Sequence, residues 1–279
     1  MPASPKNSPP APRAKKSLGQ HFLRREDICA RIAALLLPRP EDRVLEIGPG
    51  PGALTRALED APHACLLLLE KDRHWAAERQ RLAGPRTQAV LTDALRFDWR
   101  RISPQRPWKV IGNLPYNVAS PLIWDIVSLS GGLRRAVFMV QKEVGQRLAA
   151  APGNGHYGAL SVWVQSYTRP RLEFVVGPGA FSPPPRVDSA VLSFEPLPAH
   201  ALPDRPDALA RLLRICFQQR RKQLGGIFRR AGLPQLEAAL EQTGLAPSLR
   251  PEALSREDFL RLAAFLPPNL DKFGQKRLS

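Results

Sequence analysis

Asn113, Leu114, Pro115 and Tyr116, in the stretch GNLPYN, combine a neutral amide oxygen with an aromatic face directly after a strand-like run, WKVIG. Pro115 restrains Leu114 to extended backbone. The Asn113 side chain and the carbonyl of Leu114 or Pro115 can then act together as a pair of acceptors. Such a pair suits an exocyclic amino group on a flat heterocycle. That nitrogen is a poor nucleophile because its lone pair is delocalised, and accepting both of its N–H bonds aims the lone pair at an electrophile. Tyr116 would stack on the ring, as aromatic side chains do on extruded bases. A base is not required before attack, since the proton can leave once the nitrogen is cationic, so catalysis would rest on positioning and electrostatics. An ordinary proline turn accounts for most Asn-x-Pro matches, but the whole tetrapeptide at a strand end is far more specific.

A second group of residues describes what lies opposite. LEIGPGPGALT (45–55) sets Gly48, Gly50 and Gly52 between a strand and a helix, where a ligand can approach bare backbone. The spelling Gly48-x-Gly50-x-x-Ala53 also satisfies the dinucleotide fingerprint and alone would admit a nicotinamide-dependent dehydrogenase. Pro49 and Pro51 cannot donate N–H groups, which equips the loop poorly for a pyrophosphate and better for a nucleoside. Glu70 closes the next strand, placed to accept from ribose hydroxyls. Asp93, in LTDAL, closes the one after and could accept from an adenine amino group. A lone acid at a strand end is often only a helix cap. Two on successive strand ends after a glycine-rich turn describe an S-adenosylmethionine pocket.

These positions require strands that end side by side. RVLEIG (43–48), ACLLLLE (64–70), TQAVLT (87–92), KVIGN (109–113) and RRAVFMV (134–140) read as buried strands. The helix-like segments GALTRALED, DRHWAAERQRLA, SPLIWDIVSL and QKEVGQRLAAA alternate with them. This is the pattern of an α/β, Rossmann-like, doubly wound sheet with parallel strands and covered faces. Farther on, LSVWVQSY and RLEFVVG read as a strand pair and SAVLSFEP as another strand. The chain turns proline-rich around EPLPAHALPDRP and is then helical and basic. The expected organisation is a basic tail over 1–16, a catalytic domain over 17–198 and a small helical domain over 199–279.

Lys+Arg 41 against Asp+Glu 25 gives a net charge of +16, which argues for a polyanionic partner. Arg220, Arg221 and Lys222, in QQRRKQ, are candidate phosphate contacts on nucleic acid, although a charge run can equally be a solvated helix face. Cys29, Cys65 and Cys216 are far apart and lack metal-ligand spacing, so they read as core residues in a reducing compartment, with no metal expected. No apolar run is long enough to span a membrane. The opening segment lacks the apolar core of a secretory signal.

The motifs SLGQHFL (17–23), LEIGPGPGALT, GNLPYN, MVQKEV (139–144), YGALSV (157–162) and FSPPPRVDSAVL (181–192) occur in the order seen in the bacterial 16S ribosomal RNA adenine N6-dimethyltransferases of the KsgA/RsmA type. The chain resembles that family from about Lys16 to Leu192, and CFQQRRKQL (216–224) resembles its C-terminal signature. The resemblance implies dimethylation of two adjacent adenosines near the 3′ end of 16S ribosomal RNA, in the immature 30S subunit, by a cytoplasmic monomer. Carried over by position, the cofactor contacts are His21, Leu23, Gly48, Glu70, Asp93 and Asn113. His21 stands where the family more often has Asn. Phe181 matches the second aromatic wall of the base pocket, opposite Tyr116. Two alternatives share the resemblance: the antibiotic-resistance relatives that methylate 23S RNA, and a non-catalytic assembly factor that keeps the fold. NLPY and the full FSPPPRVDSAV favour the 16S enzyme over the first. The intact Gly48, Glu70, Asp93 and Asn113 set argues against the second.

Overall fold

The computed structural model describes residues 21–267, so the expected basic tail over 1–16 lies outside it. The elements run β1 (Phe22–Leu23), α1 (Glu26–Leu35), β2 (Arg43–Ile47), α2 (Ala53–Glu59), β3 (Cys65–Glu70), α3 (Arg73–Leu82), β4 (Thr87–Leu91) and β5 (Trp108–Asn113). They continue α4 (Ala119–Leu129), β6 (Leu133–Gln141), α5 (Lys142–Leu148), α6 (Ala159–Gln165), β7 (Thr168–Val176), β8 (Phe181–Ser182) and β9 (Ser189–Pro196). Four further α-helices close the described chain: α7 (Pro206–Phe217), α8 (Leu224–Arg230), α9 (Pro234–Gln242) and α10 (Arg256–Ala263).

Seven strands form one sheet in the order β4-β3-β2-β5-β6-β9-β7. The chain winds outward from β2 through β3 to β4, then returns to lay β5 against the free side of β2. Strand order therefore reverses between β2 and β5, and a ligand crevice opens beyond their carboxyl ends. Alternate side chains supply two apolar layers, which explains why the strands read as nearly continuous hydrophobic runs. Leu45, Val110 and Phe138 pack with α4, α6 and α7 on one face. Val44, Ile111 and Val137 pack with α1 and α2 on the other. The first of these layers runs on into Leu240 and Phe259, so the helices beyond residue 199 share a core with the sheet. Among the described residues no helix is long and apolar enough to cross a membrane.

The structure departs from the sequence expectation in three places. LSVWVQ forms α6 rather than a strand. Ser161, Val162, Trp163 and Val164 are all buried, and a short helix enclosed on every side shows no 3.6-residue periodicity to separate it from a strand. The sheet is mixed rather than parallel, because β9 runs antiparallel to both β6 and β7. The connection from β7 to β9 contains no crossover helix, so the strand must return in the opposite direction. Finally, QQRRKQ lies in the turn between α7 and α8 instead of within a helix.

Candidate active site

A cleft opens at the β2/β5 switch point, with about 960 Å³ of empty space that includes open solvent at its mouth. It is lined by His21, Gly48, Gly50, Glu70, Asp93, Asn113, Leu114, Pro115 and Tyr116. Residues separated by almost a hundred positions thus converge. Register explains how: Ile47 pairs with Gly112, so the loop after β2 and Asn113 at the end of β5 emerge side by side. Gly112 is needed for this approach. A Cβ there would lie 2.8 Å from the Ile47 carbonyl and 3.2 Å from the Leu114 side chain.

The loop from Gly48 to Gly52 has its N–H groups already in use. Gly48 donates to the Leu69 carbonyl (2.9 Å), Gly50 to Glu70 Oε2 (3.0 Å) and Gly52 to the Pro49 carbonyl (2.9 Å). Pro49 and Pro51 have none to give. These loop donors are therefore not free for a pyrophosphate, which weakens the dinucleotide reading. Gly50 has φ +50°, and a Cβ on it would meet the Phe22 ring at 2.9 Å, so this position admits little besides glycine. Gly52 caps α2 and backs onto Arg79, outside the cleft lining.

Glu70 is only 5% exposed. Its Oε2 takes the Gly50 amide and its Oε1 the Asp72 amide (2.8 Å), which fixes the carboxylate and leaves a lone pair on each oxygen for a ligand. Burial holds its pKa above the ordinary carboxylate value, opposed by the hydrogen bonds from the Asp72, Gly50 and Lys71 amides. Asp93 accepts from the Leu95 amide (3.0 Å) and pairs with Lys71 (2.9 Å). Burial pushes its pKa up, but the bonds from Lys71 and Leu95 and the charges of Lys71 and Arg96 outweigh it and hold the carboxyl below its ordinary value. Asp93 is therefore an anion at neutral pH and can only accept.

Asn113 donates through Nδ2 to the His21 carbonyl at 2.9 Å. A carbonyl can only accept, so this bond fixes the amide's orientation and turns Oδ1 to the other side as an acceptor. Leu114, buried, donates its amide to the Met139 carbonyl (3.0 Å), and the Pro115 carbonyl accepts from Val118 (3.0 Å). Tyr116 is anchored through its hydroxyl to Ser189 Oγ at 2.8 Å, with the Ser189 side chain buried. Burial raises the Tyr116 pKa, opposed by that hydrogen bond, so the phenol stays neutral.

Leu23 is buried and lines a smaller recess that adjoins the cleft beside Gly48 and Asn113. Phe181 is buried opposite Leu23 in the β1–β8 pair and does not line the cleft. The ring that stacks on Tyr116 is that of His21 instead. Arg220 is bound within the protein, to Glu252 Oε2 and the Gly155 carbonyl, both at 2.8 Å. Arg221 and Lys222 are exposed in the turn after α7.

A family model described as "Ribosomal RNA adenine dimethylase" matches residues 11–267. The chain belongs to the ribosomal RNA adenine dimethylase family. It is 59% identical over 259 residues to the ribosomal RNA small subunit methyltransferase A of Nitratidesulfovibrio vulgaris strain Hildenborough, covering 90% of this chain and 96% of that one. It is 41% identical over 256 residues to the protein of that name in Pseudomonas syringae, covering 90% and 94%. Of solved structures, a dimethyladenosine transferase from Plasmodium falciparum aligns with TM-score 0.72 at 25% identity over 87% of this chain and 96% of that one. The 23S rRNA methyltransferase ErmE aligns with TM-score 0.64 at 27% identity over 88% and 99%. As a ribosomal RNA adenine dimethylase, this protein is a methyltransferase acting on ribosomal RNA.

Sequence reasoning missed Phe22, Lys71, Thr92 and Leu95 as parts of the dimethylase cleft. Lys71 and Leu95 flank the two strand-end acids and could have been found by asking what holds those acids in place. Phe22 had no such signal, because only the folded chain brings β1 onto Gly50.

Proposed function

We propose that this enzyme dimethylates N6 of two adjacent adenosines in the 3′-terminal hairpin of 16S ribosomal RNA, using S-adenosylmethionine, on the immature small subunit. The observation that carries this reading is the Asn113 side chain, locked by the His21 carbonyl with its oxygen turned away as an acceptor, beside the fixed face of Tyr116. When bound, the cofactor supplies an electrophilic sulfonium methyl.

The donor and acceptor set of the cleft fits a nucleoside. Glu70 holds out two oriented oxygens for the ribose hydroxyls, and anionic Asp93 accepts from the cofactor's adenine amino group. Gly48 meets the ligand with bare backbone: a Cβ there would face open space. Gly50 and Gly52 shape the loop, Leu23 closes its floor, and His21 bounds the mouth. On the substrate side, Asn113 Oδ1 and the Leu114 carbonyl accept the two N–H bonds of the target amino group. The Pro115 carbonyl, already engaged by Val118, serves mainly to set that geometry. Tyr116 stacks on the base. Phe181 packs with Leu23 in the apolar layer around β1, away from the cleft. Reaction needs no group to remove a proton beforehand, so the chain's contribution is orientation and electrostatics.

Arg221 and Lys222 are assigned to RNA phosphates, while Arg220 braces the turn that carries them. The enzyme acts as a monomer in the cytoplasm. The test is methyl transfer to purified 30S and 50S particles followed by mass spectrometry of the RNA. Dimethyladenosine in the 3′-terminal hairpin of 16S RNA is the expected product, and label confined to 23S RNA would overturn the assignment.

A further inference from the structure

His21 touches three parts of the site at once. Its ring stacks on Tyr116, with centroids 5.5 Å apart and planes inclined by 25°. Its Nδ1 lies 2.9 Å from the Pro183 carbonyl, which can only accept, so Nδ1 carries the hydrogen. Its backbone carbonyl receives the Asn113 amide. Two rings at this separation are in direct contact, and a third cannot enter between them. One face of Tyr116, in the lining that the two residues share, is thus already covered by an aromatic ring.

We propose that His21 is a place-holder for the target base: its imidazole occupies the Tyr116 face in the free enzyme and is displaced when adenine stacks there. This rests on the reading that Tyr116 stacks on the substrate base. The architecture suits displacement. The ring is held by one stacking contact and one hydrogen bond to a loop carbonyl, both outside the core, so side-chain rotation releases it. The backbone carbonyl stays where it is, so Asn113 keeps its orientation while the ring moves. The consequence is a higher threshold for binding any base. A free nucleoside must displace the imidazole with little else to gain. An adenosine presented by RNA brings phosphate contacts as well, which here meet a protein of net charge +16. His21 then lowers affinity for every base alike, so that only a base carrying further contacts binds at working concentrations.

The test is a fluorescence titration of an RNA hairpin carrying 2-aminopurine at the target adenosine, with full-length wild type, His21→Ala, His21→Asn and Tyr116→Ala. Circular dichroism and thermal unfolding of each protein establish that it is folded. Loss of one stacking contact should make both His21 variants bind the hairpin about two- to tenfold more tightly. Their affinity for free adenosine should rise by at least as much. Unchanged or weaker binding by both variants, with the wild-type signal still abolished by Tyr116→Ala, would overturn the place-holder and leave the base pocket standing. A wild-type signal indifferent to Tyr116→Ala would overturn the base pocket itself.

Discussion

Glu70→Gln tests the cofactor side of the cleft with almost no change in shape. The carboxylate serves two backbone donors at once, Gly50 at 3.0 Å and Asp72 at 2.8 Å, in a position 5% exposed. A carboxamide has one acceptor oxygen, and its NH2 group would face the other amide donor to donor. One buried N–H then loses its partner, at about 1–3 kcal/mol. The ribose hydroxyls also lose a charged acceptor, and charge-assisted bonds are roughly twice as strong as neutral ones. The unpaired amide costs stability in the free and the bound protein alike, so cofactor affinity falls only by the second effect, about 1–2 kcal/mol or roughly five- to thirtyfold. Calorimetric titration of S-adenosylmethionine reads this directly, with circular dichroism to show that the sheet is intact. A change below threefold in a folded variant would refute the assignment of Glu70 as the oriented ribose acceptor.

Tyr116→Phe should keep most methyl transfer and cost about 1 kcal/mol in urea unfolding, because Ser189 Oγ loses its partner, whereas Tyr116→Ala should abolish transfer. Equal loss of transfer in both would show that the hydroxyl, not the ring face, matters. Gly50→Ala forces a side chain into φ +50° and against the Phe22 ring, and should cost about 1–2 kcal/mol in urea unfolding for the left-handed backbone alone, with weaker cofactor binding by calorimetry as the loop shifts. Glu46, buried in β2 and bonded to Thr55 Oγ1, has its pKa pushed up to about 8, chiefly by burial and then by the charge of Glu70, against the Thr55 bond and Arg79. Because the folded value is raised, the folded state holds an extra proton between the ordinary carboxylate value and about 8. The stability it confers is complete at low pH and lost as pH rises through that window. Wild type should therefore lose stability relative to Glu46→Gln from pH 5 to 8, with a slope of at most about 1.4 kcal/mol per unit, read by urea unfolding at several pH values. Parallel curves for the two proteins would show that Glu46 takes up no proton on folding.

The parallel half of the sheet was legible because each strand carries its own signal: an unbroken apolar run, a terminal acid or glycine, then an amphipathic helix. The same feature made the site legible. A doubly wound sheet delivers strand ends to one edge, so Gly48, Glu70, Asp93 and Asn113 could be grouped without knowing a single distance. What was not legible depends on long-range packing. α6 is enclosed nearly all round, so its helical period is hidden, and β9 could be paired only once the path from β7 was known. Phe181 was assigned to the base pocket by resemblance, yet its pairing with Leu23 buries it, and nothing local encodes a two-residue strand pair formed across the chain. Arg220 reads like its neighbours in QQRRKQ, but its guanidinium is turned to Glu252. Charge runs reveal composition, not which members face solvent.

The central claim is that Asn113 orients an adenine amino group for methyl transfer. It is tested most directly by mass spectrometry of the 16S RNA 3′-terminal fragment after incubation of immature 30S particles with S-adenosylmethionine and either wild type or Asn113→Ala. Wild type should convert two adjacent adenosines to N6,N6-dimethyladenosine. Asn113→Ala should bind the particles normally and leave both adenosines unmodified at least a hundredfold longer, the scale of one lost preorganised contact. Dimethylation by Asn113→Ala at the wild-type rate would contradict the account.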